Sequence, residues 1–251
     1  MTDTEKYLFD LQGYLVVEDA LTPEQTAALN ALVDTKMAEL PEPGKTTHRF
    51  GDLLSWGAEC RRLIANPRIT PYLAALLGEP YRLDHDYLDV IRRGLGPIGA
   101  ILHGGGAVDD RTAWYRYHNG RLRNGLTVVA YALKDVNPGD GGFACVPGSH
   151  KANLPLPKGW EDMSERLAPG VTPVPARAGS AIVFTEALTH GTLPWRGANE
   201  RRTVFLKYSP HPLAWAVPHY DPQAYDDLTS EERRLLEGPN ARYRGRQGAV
   251  E

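Results

Sequence analysis

The chain has 251 residues, enough for one large domain or two small ones, and its 42% hydrophobic and 24% charged residues are typical of an ordinary soluble globular protein. A net charge of −3 gives no electrostatic footprint for nucleic acid, and no apolar run approaches the roughly 20 residues that span a bilayer. The polar N-terminus is unlike a signal peptide, and Cys60 and Cys145 lack CxxC spacing. We therefore expect a cytoplasmic protein without nucleic-acid or membrane partners.

The first third of the chain indicates a strand and then helices. Residues 7–18 predict a strand interrupted by a glycine, and a helix then begins at the N-cap Thr22, with Pro23 in its first turn. Residues 41–52 predict a loop, and residues 61–77 a second helical stretch that ends at Gly78. The loop contains Lys45, His48 and Arg49, which could form a lid for an anionic substrate, although a solvated loop is the simpler interpretation.

From residue 81 the hydrophobic period changes to two, as in a β-strand. One face carries Tyr81, Leu83, His85 and Tyr87, and the other carries Arg82, Asp84 and Asp86. Further strand-like runs cover residues 98–102, 126–133, 143–146, 181–184 and 203–208, and a helix signal follows at residues 229–236. This order predicts a mainly β (α+β) fold, a jelly roll with flanking helices, in a single domain over residues 1–251.

Two histidines, His103 and His190, each follow an apolar strand-like run. Neutral imidazoles on adjacent strand ends can hold a divalent transition metal. Arg201 lies eleven positions after His190, and in an antiparallel meander this spacing returns the chain beside the histidine, where a guanidinium can clamp a carboxylate. Thr192 offers a hydroxyl near that clamp. A lone histidine in a turn is more often only a packed residue, but the arginine at this offset favours a site.

Two segments have the order and spacing of a known family. They are LKDVNPGDGGFACVPGSHK at residues 133–151, and AGSAIVF at residues 178–184, which is followed by His190-Gly191 and Arg201-Arg202. Over nearly the whole chain the sequence resembles the phytanoyl-CoA dioxygenase family of Fe(II)/2-oxoglutarate oxygenases.

This resemblance implies a double-stranded β-helix that uses Fe(II), 2-oxoglutarate and O2 to oxidise a small molecule. It implies that His190 is the distal iron ligand and that Arg201 binds the far carboxylate of 2-oxoglutarate, assisted by Thr192. Arg202 is a neighbouring candidate for that carboxylate, but strand alternation lets only one of the two arginines face inward.

The sequence differs from the family pattern at the proximal metal ligand. Alignment places His103 there, but the family's His-x-Asp is replaced by His103-Gly104-Gly105, so the carboxylate of the facial triad is missing. In one interpretation chloride occupies the position vacated at Gly105, as in related halogenases with a small residue there, and we favour it slightly. In a second, Asp109 or Asp110 folds back to complete the site of an ordinary hydroxylase. In a third, the metal is lost and a jelly-roll binding protein remains.

Other residues are candidates for the substrate pocket. His85 lies on the predicted inward face of its strand, and Trp114 and Trp195 are possible pocket walls, although packing explains each tryptophan equally well. His118 is a competing metal ligand within His118-Asn119-Gly120, but the run around it predicts a hairpin in which a histidine is more often exposed or turned to substrate. We therefore assign His85, Trp114, Trp195 and His118 to substrate binding.

Overall fold

The computed structural model describes residues 1–41, 44–107, 110–217 and 219–241. Its helices are α1 (Asp3–Gln12), α2 (Pro23–Ala38), α3 (Ala58–Arg61), α4 (Thr70–Leu77) and α5 (Ser230–Leu235). Its strands are β1 (Tyr14–Val17), β2 (Thr47–Phe50), β3 (Tyr81–Ile91), β4 (Tyr115–His118), β5 (Arg121–Asn124), β6 (Thr127–Ala132), β7 (Gly142–Cys145), β8 (Thr172–Pro173), β9 (Ala181–Thr185), β10 (His190–Leu193) and β11 (Arg201–Pro210). Within these residues no helix has the length and apolar character to cross a membrane.

Antiparallel strands form two facing sheets and a hairpin. The larger sheet has the strand order β1-β9-β6-β11-β3-β2, the smaller one has the order β10-β7-β8, and β4 pairs with β5. A core cluster that includes Val128, Phe143 and Phe205 joins residues of both sheets. The predicted mainly β fold with flanking helices is confirmed.

The strand predicted for residues 7–18 is wrong in its first half. A capping box between Thr2 and Glu5 starts α1, and Gly13 ends it with φ +85° and an amide donated to the carbonyl of Phe9 at 2.7 Å. Within α1 Phe9 is the buried residue, so one helical face packs on the core. Only β1, after Gly13, is extended.

Three other boundaries differ from the sequence prediction. The helical stretch 61–77 is divided between α3 and α4, with Pro67 in the connection, where a missing amide and a fixed φ disfavour a continuous helix. The loop predicted over residues 41–52 contains β2, which pairs with β3 at the edge of the larger sheet. Residues 98–102 form no strand, because Ile101 makes an isolated bridge only.

Both faces of the larger sheet are covered, which explains the continuous apolar runs of its strands. In β6, Val128 and Ala130 belong to the core between the two sheets, whereas Val129 and Tyr131 belong to the core that also contains residues of α2 and α4. β11 alternates in the same way. We call the side of the larger sheet that faces the smaller one the interior face, and the other the helix face.

A bulge sets which residues of β3 face the interior. Lys207 pairs with His85 but Tyr208 pairs with Leu83, so Asp84 is the extra residue. Leu83 therefore packs in the helix-side core, while His85 and Tyr87 face the interior. The single alternating face predicted for Tyr81, Leu83, His85 and Tyr87 is corrected accordingly: the bulge divides it in two.

Candidate metal centre

His103 and His190 lie side by side at one end of the smaller sheet. Each donates its backbone amide to the other's carbonyl at 2.9 Å, and their ring centroids are 4.2 Å apart. Nδ1 of His190 lies 2.7 Å from the carbonyl oxygen of Leu188, and Nδ1 of His103 lies 3.3 Å from that of Ile101. Because a ring proton on Nδ1 satisfies each carbonyl, both Nε2 lone pairs are free to bind a cation.

A carboxylate that the sequence did not single out lies beside these imidazoles. Glu186, His103 and His190 each offer one ligand atom, and these atoms lie within 4.8 Å of one another. Among the described residues, these three side chains form the group that could hold a metal ion. One carboxylate oxygen of Glu186, Oε2, lies 3.8 Å from Nε2 of His190, and the other, Oε1, pairs with the ammonium of Lys207.

The charges of this cluster are coupled. Burial alone would raise the pKa of Glu186, but the charges of Lys207 and His190 lower it to about 2. Burial lowers the pKa of His190 to about 4, against the opposing charge of Glu186. Burial would also lower the pKa of Lys207, but Glu186 and Tyr87 raise it. At neutral pH the cluster therefore contains a carboxylate, an ammonium and a neutral imidazole at position 190.

Glu186 was missed because we looked for a carboxylate next to His103. It lies instead in the connection between β9 and β10, four positions before His190. The available signal was a charged residue between the buried Phe184 and Leu188, since acidic side chains are rarely buried without a partner.

Close steric contacts explain why His103 is followed by glycines. A Cβ at Gly104 would lie 2.7 Å from the carbonyl oxygen of Glu186 and 2.6 Å from that of Leu188. A Cβ at Gly105 would lie 2.9 Å from Oγ1 of Thr189, and the φ of Gly105 is +117°. L side chains rarely adopt this backbone conformation, so an aspartate at Gly105 would be strained as well as crowded.

Asp109 or Asp110 was predicted to replace the missing carboxylate, and the structure describes one of them. Oδ1 of Asp110 accepts hydrogen bonds from the amide of Thr112 at 2.6 Å and from the amide of Ala113 at 3.2 Å, so it caps its own turn. Asp110 lines the cavity but is not part of the ligand group formed by Glu186 and the two histidines. Asp109 lies outside the described residues.

Arg201 lies on the interior face at the start of β11 and is 3% exposed. It belongs to the larger sheet while His190 belongs to the smaller one, so the predicted meander is corrected: the two residues lie in different sheets. The guanidinium reaches β7, where a Cβ at Gly142 would lie 3.3 Å from its Nε. Within the described residues its buried Nε and Nη1 have no hydrogen-bond partner. Thr192 shares with His190 one side of β10.

The candidacy of Arg202 as a cofactor ligand is corrected. Its side chain is on the helix face, where Nη1 donates to the backbone and side-chain oxygens of Asn30 at 3.0 Å, and the guanidinium also pairs with Asp34 and Glu200. Strand alternation therefore sends Arg201 to the interior and Arg202 to α2.

A cavity of about 470 Å³ is lined by His103 and Glu186 of the ligand group. This volume falls within the range of small-molecule sites. His85 is in its wall and stacks on Trp215 with ring centroids 4.8 Å apart. Its other lining residues are Arg49, Tyr87, Ile98, Gly104, Gly105, Asp110, Ala113, Leu126 and Lys207.

The lid prediction for residues 41–52 is corrected in part. Arg49 lies on β2 rather than in a loop, lines the cavity and forms a bidentate pair with Asp89 at 2.7 and 2.8 Å. His48 is buried, with Nε2 3.1 Å from the carbonyl oxygen of Lys45. Of the three basic residues in that segment, Arg49 is the one on the cavity wall.

Three predicted substrate contacts are not brought to this cavity. Trp195 is 1% exposed, packs with Ile91 and Val136, and donates its indole N–H to a backbone carbonyl. Trp114 packs under the guanidinium of Arg116, outside the cavity lining. His118 is an exposed residue of the β4–β5 hairpin and belongs neither to the ligand group around His103 nor to the lining of this cavity. For Trp195 the alternative of pure packing was the correct one.

Comparison with known proteins decides the family. The family model "Phytanoyl-CoA dioxygenase" matches residues 9–203. The chain belongs to the phytanoyl-CoA dioxygenase family. Methylphosphonate hydroxylase of Gimesia maris is 24% identical over 223 residues, which cover 83% of this chain and 81% of that protein.

Solved structures share the fold of this family member. HygX from Streptomyces hygroscopicus, with nickel and 2-oxoglutarate bound, superposes with a TM-score of 0.78 at 24% identity, over 93% of this chain and 94% of HygX. The non-heme α-ketoglutarate-dependent epimerase SnoN from nogalamycin biosynthesis has a TM-score of 0.58 at 21% identity, over 82% of this chain and 79% of SnoN. The predicted double-stranded β-helix of this phytanoyl-CoA dioxygenase family member is thus confirmed.

The residues of this family member fit a divalent iron and a dicarboxylate co-substrate. Two imidazoles whose Nδ1 atoms contact backbone carbonyls, together with a nearby carboxylate, have the donor types of the 2-His-1-carboxylate set. The guanidinium of Arg201 is buried with unpaired N–H groups, a costly arrangement that an anionic ligand would relieve.

Proposed function

We propose that this protein is a single-domain Fe(II)/2-oxoglutarate-dependent hydroxylase of an aliphatic C–H bond in a small molecule. The balanced reaction is R–H + 2-oxoglutarate + O2 → R–OH + succinate + CO2. The observation that carries the proposal is the convergence of two imidazoles, one of which lines the cavity, together with the buried guanidinium of Arg201, whose Nε and Nη1 have no partner among the described residues.

Each side chain of the proposed site would have a distinct role. His103 and His190 hold the metal through Nε2, and their Nδ1 contacts to backbone carbonyls keep the rings in place. The guanidinium of Arg201 binds the distal carboxylate of 2-oxoglutarate, with the hydroxyl of Thr192 on the His190 side of β10. Iron, when bound, supplies the oxidative chemistry with O2.

The cavity wall indicates how a substrate would be held. Tyr87, His85 and Trp215 form an aromatic series along it, with Arg49 4.3 Å above the ring of Tyr87. Aromatic faces beside a guanidinium suit a small molecule that has both an apolar part and a polar or anionic group. The Gimesia maris relative is named for a small phosphonate, and HygX was crystallised with hygromycin B, which supports small-molecule oxidation here.

Halogenation is the second candidate, and the bare Gly105 favours it. It would proceed as R–H + Cl⁻ + 2-oxoglutarate + O2 + H⁺ → R–Cl + succinate + CO2 + H2O, with chloride at the iron in the position facing Gly105. Glu186 counts against it, because an anionic side chain already lies beside both histidines. Substrate-dependent incorporation of chlorine, measured by mass spectrometry, would identify this reaction.

The test of the proposed function compares matched histidine variants. The wild-type protein with Fe(II), 2-oxoglutarate and O2 should form succinate slowly even without its substrate. His190→Ala should abolish this formation, and under anaerobic conditions it should also abolish the charge-transfer absorption of the Fe(II)–2-oxoglutarate complex. His118→Ala removes an exposed histidine and should leave both unchanged. Absence of succinate and of the absorption band in the wild-type protein would reject the proposal.

A further inference from the structure

We propose that Glu186 is the third protein ligand of the metal and that Lys207 positions it. This inference rests on the proposed function. It assigns the missing carboxylate of the facial triad to the connection between β9 and β10, on the distal side of the site, instead of to the loop after His103.

The two oxygens of Glu186 have separate partners. Lys207 pairs with Oε1, and its ammonium is held on the interior face of β11, 5.6 Å from the ring centroid of Tyr87 and 5.9 Å from that of Trp215. This arrangement leaves Oε2 directed towards Nε2 of His190 at 3.8 Å. Metal–ligand bonds of about 2.1 Å put neighbouring ligand atoms about 3.0–3.4 Å apart, so a movement of less than about 1 Å would let Oε2 and Nε2 share one ion.

An ion pair with Lys207 alone does not explain this geometry. The Nδ1 contact of His190 to the carbonyl of Leu188 leaves a lone pair on Nε2, so Oε2 and Nε2 face each other as two electron-rich atoms. A cation between them makes that arrangement favourable. Among the described residues, Lys207 is the one lysine or arginine that pairs with Glu186, and it is bound at the other oxygen.

The glycines after His103 show why the carboxylate would have moved. The backbone of Gly104 is so close to the carbonyl of Glu186 that even a Cβ would clash, and Gly105 has a φ of +117°. The loop therefore has no room for the family's aspartate, while the turn packed against it has its own acid. The same close approach brings Glu186 to the proximal histidine.

The assignment has a chemical consequence for the proposed reaction. With Glu186 as a ligand, the residues that would hold the metal are the two histidines and one carboxylate, and the iron would supply the oxidative chemistry. The negative charge of Glu186 would disfavour a halide at the same ion, so hydroxylation is expected and Gly105 has a steric role.

The test is metal binding, measured with Co(II) as an air-stable probe. Glu186→Gln keeps the shape of the side chain but removes its charge, and should weaken Co(II) binding by at least about tenfold. The control is Glu161→Gln, the same change at an exposed residue whose backbone carbonyl accepts a hydrogen bond from the amide of Leu102. This variant should bind Co(II) like the wild-type protein. Asp110→Asn tests the rival carboxylate and should also retain affinity. An unchanged affinity in Glu186→Gln, or a loss in Asp110→Asn instead, would overturn the assignment.

Two further measurements separate coordination from a structural role. Added formate should restore Co(II) affinity to Glu186→Ala, since a free carboxylate can occupy the vacated position; no restoration counts against direct coordination. Lys207→Met should shift the Co(II) visible spectrum, because the carboxylate loses its fixed orientation, and an unchanged spectrum contradicts the positioning role.

A crystal structure of the wild-type protein with Co(II) avoids any question of variant folding. A Glu186 oxygen within about 2.2 Å of the ion is expected, and one beyond about 3.5 Å overturns the inference. Failure of this inference is distinct from failure of the proposed function. If the wild-type protein binds Co(II) at His103 and His190 and forms succinate with Fe(II) while Glu186 stays apart, only the ligand assignment fails.

Discussion

The adjacent residues Arg201 and Arg202 lie on opposite faces of β11 and differ in their hydrogen-bond partners. Arg201 and Arg202 are both buried, at 3% and 5% exposure. On the helix face, the guanidinium of Arg202 is surrounded by acceptors from Asn30, Asp34 and Glu200. On the interior face, Nε and Nη1 of Arg201 have no partner within the described residues.

This difference is the basis on which we assign Arg202 to the stability of the fold and propose Arg201 as a ligand-binding residue. An unpaired buried charge costs several kcal/mol, so a fold retains one only where another requirement outweighs stability. Lys207 shares the interior face with Arg201 and has its counter-charge in Glu186, beside the histidines. We therefore propose that the interior face of β11 serves the candidate metal site, whereas its helix face packs against α2 through Arg202.

The largest effect is expected for Arg201→Gln. Removing one partner of a buried charge pair costs about 2–5 kcal/mol, so 2-oxoglutarate affinity should fall about 30-fold or more. The free energy of unfolding should not fall, since the unpaired charge is removed from the interior. Anaerobic titration of the Fe(II) protein with 2-oxoglutarate and urea denaturation measure the two quantities. A variant that binds 2-oxoglutarate normally would show that Arg201 is not its clamp.

Arg202→Gln should reverse this pattern with a smaller effect. Loss of the guanidinium leaves the oxygens of Asn30 without their donor and leaves Glu200 with Arg92 at 3.4 Å, so we expect the free energy of unfolding to fall by about 2–3 kcal/mol. The 2-oxoglutarate affinity of the folded fraction should stay within about threefold of the wild-type value. A selective loss of co-substrate binding at unchanged stability would contradict the division between the faces.

Sequence reasoning singled out the histidines and Arg201 because patterns among neighbouring residues in the chain indicate their positions. The apolar runs before His103 and His190 and the alternation along β11 depend on neighbours along the chain, and the structure brings the two imidazoles together. Glu186 could not be located in this way. Its place beside His103 arises from the close contact of Gly104 with the 186–189 turn, a contact between segments far apart in sequence.

Other differences have the same origin in long-range packing. The bulge at Asp84 that turns His85 into the cavity appears only when β3 and β11 are paired, since the sequence of β3 alone alternates regularly. Trp195 was a possible pocket wall, with packing an equally good explanation, and its burial with Ile91 and Val136 could not be inferred from the sequence alone.

The smallest effect is expected for Tyr208→Phe, on the helix face. The hydroxyl of Tyr208 donates to the carbonyl of Ile64 at 2.9 Å, in the connection between α3 and α4. Removing one buried hydrogen bond costs about 1 kcal/mol, so the midpoint of urea denaturation should fall slightly. Succinate formation and 2-oxoglutarate affinity should not change, because this side chain points away from the cavity. A change in either, at nearly unchanged stability, would mean that the helix face of β11 also contributes to the site, and the two faces could no longer be assigned separate roles.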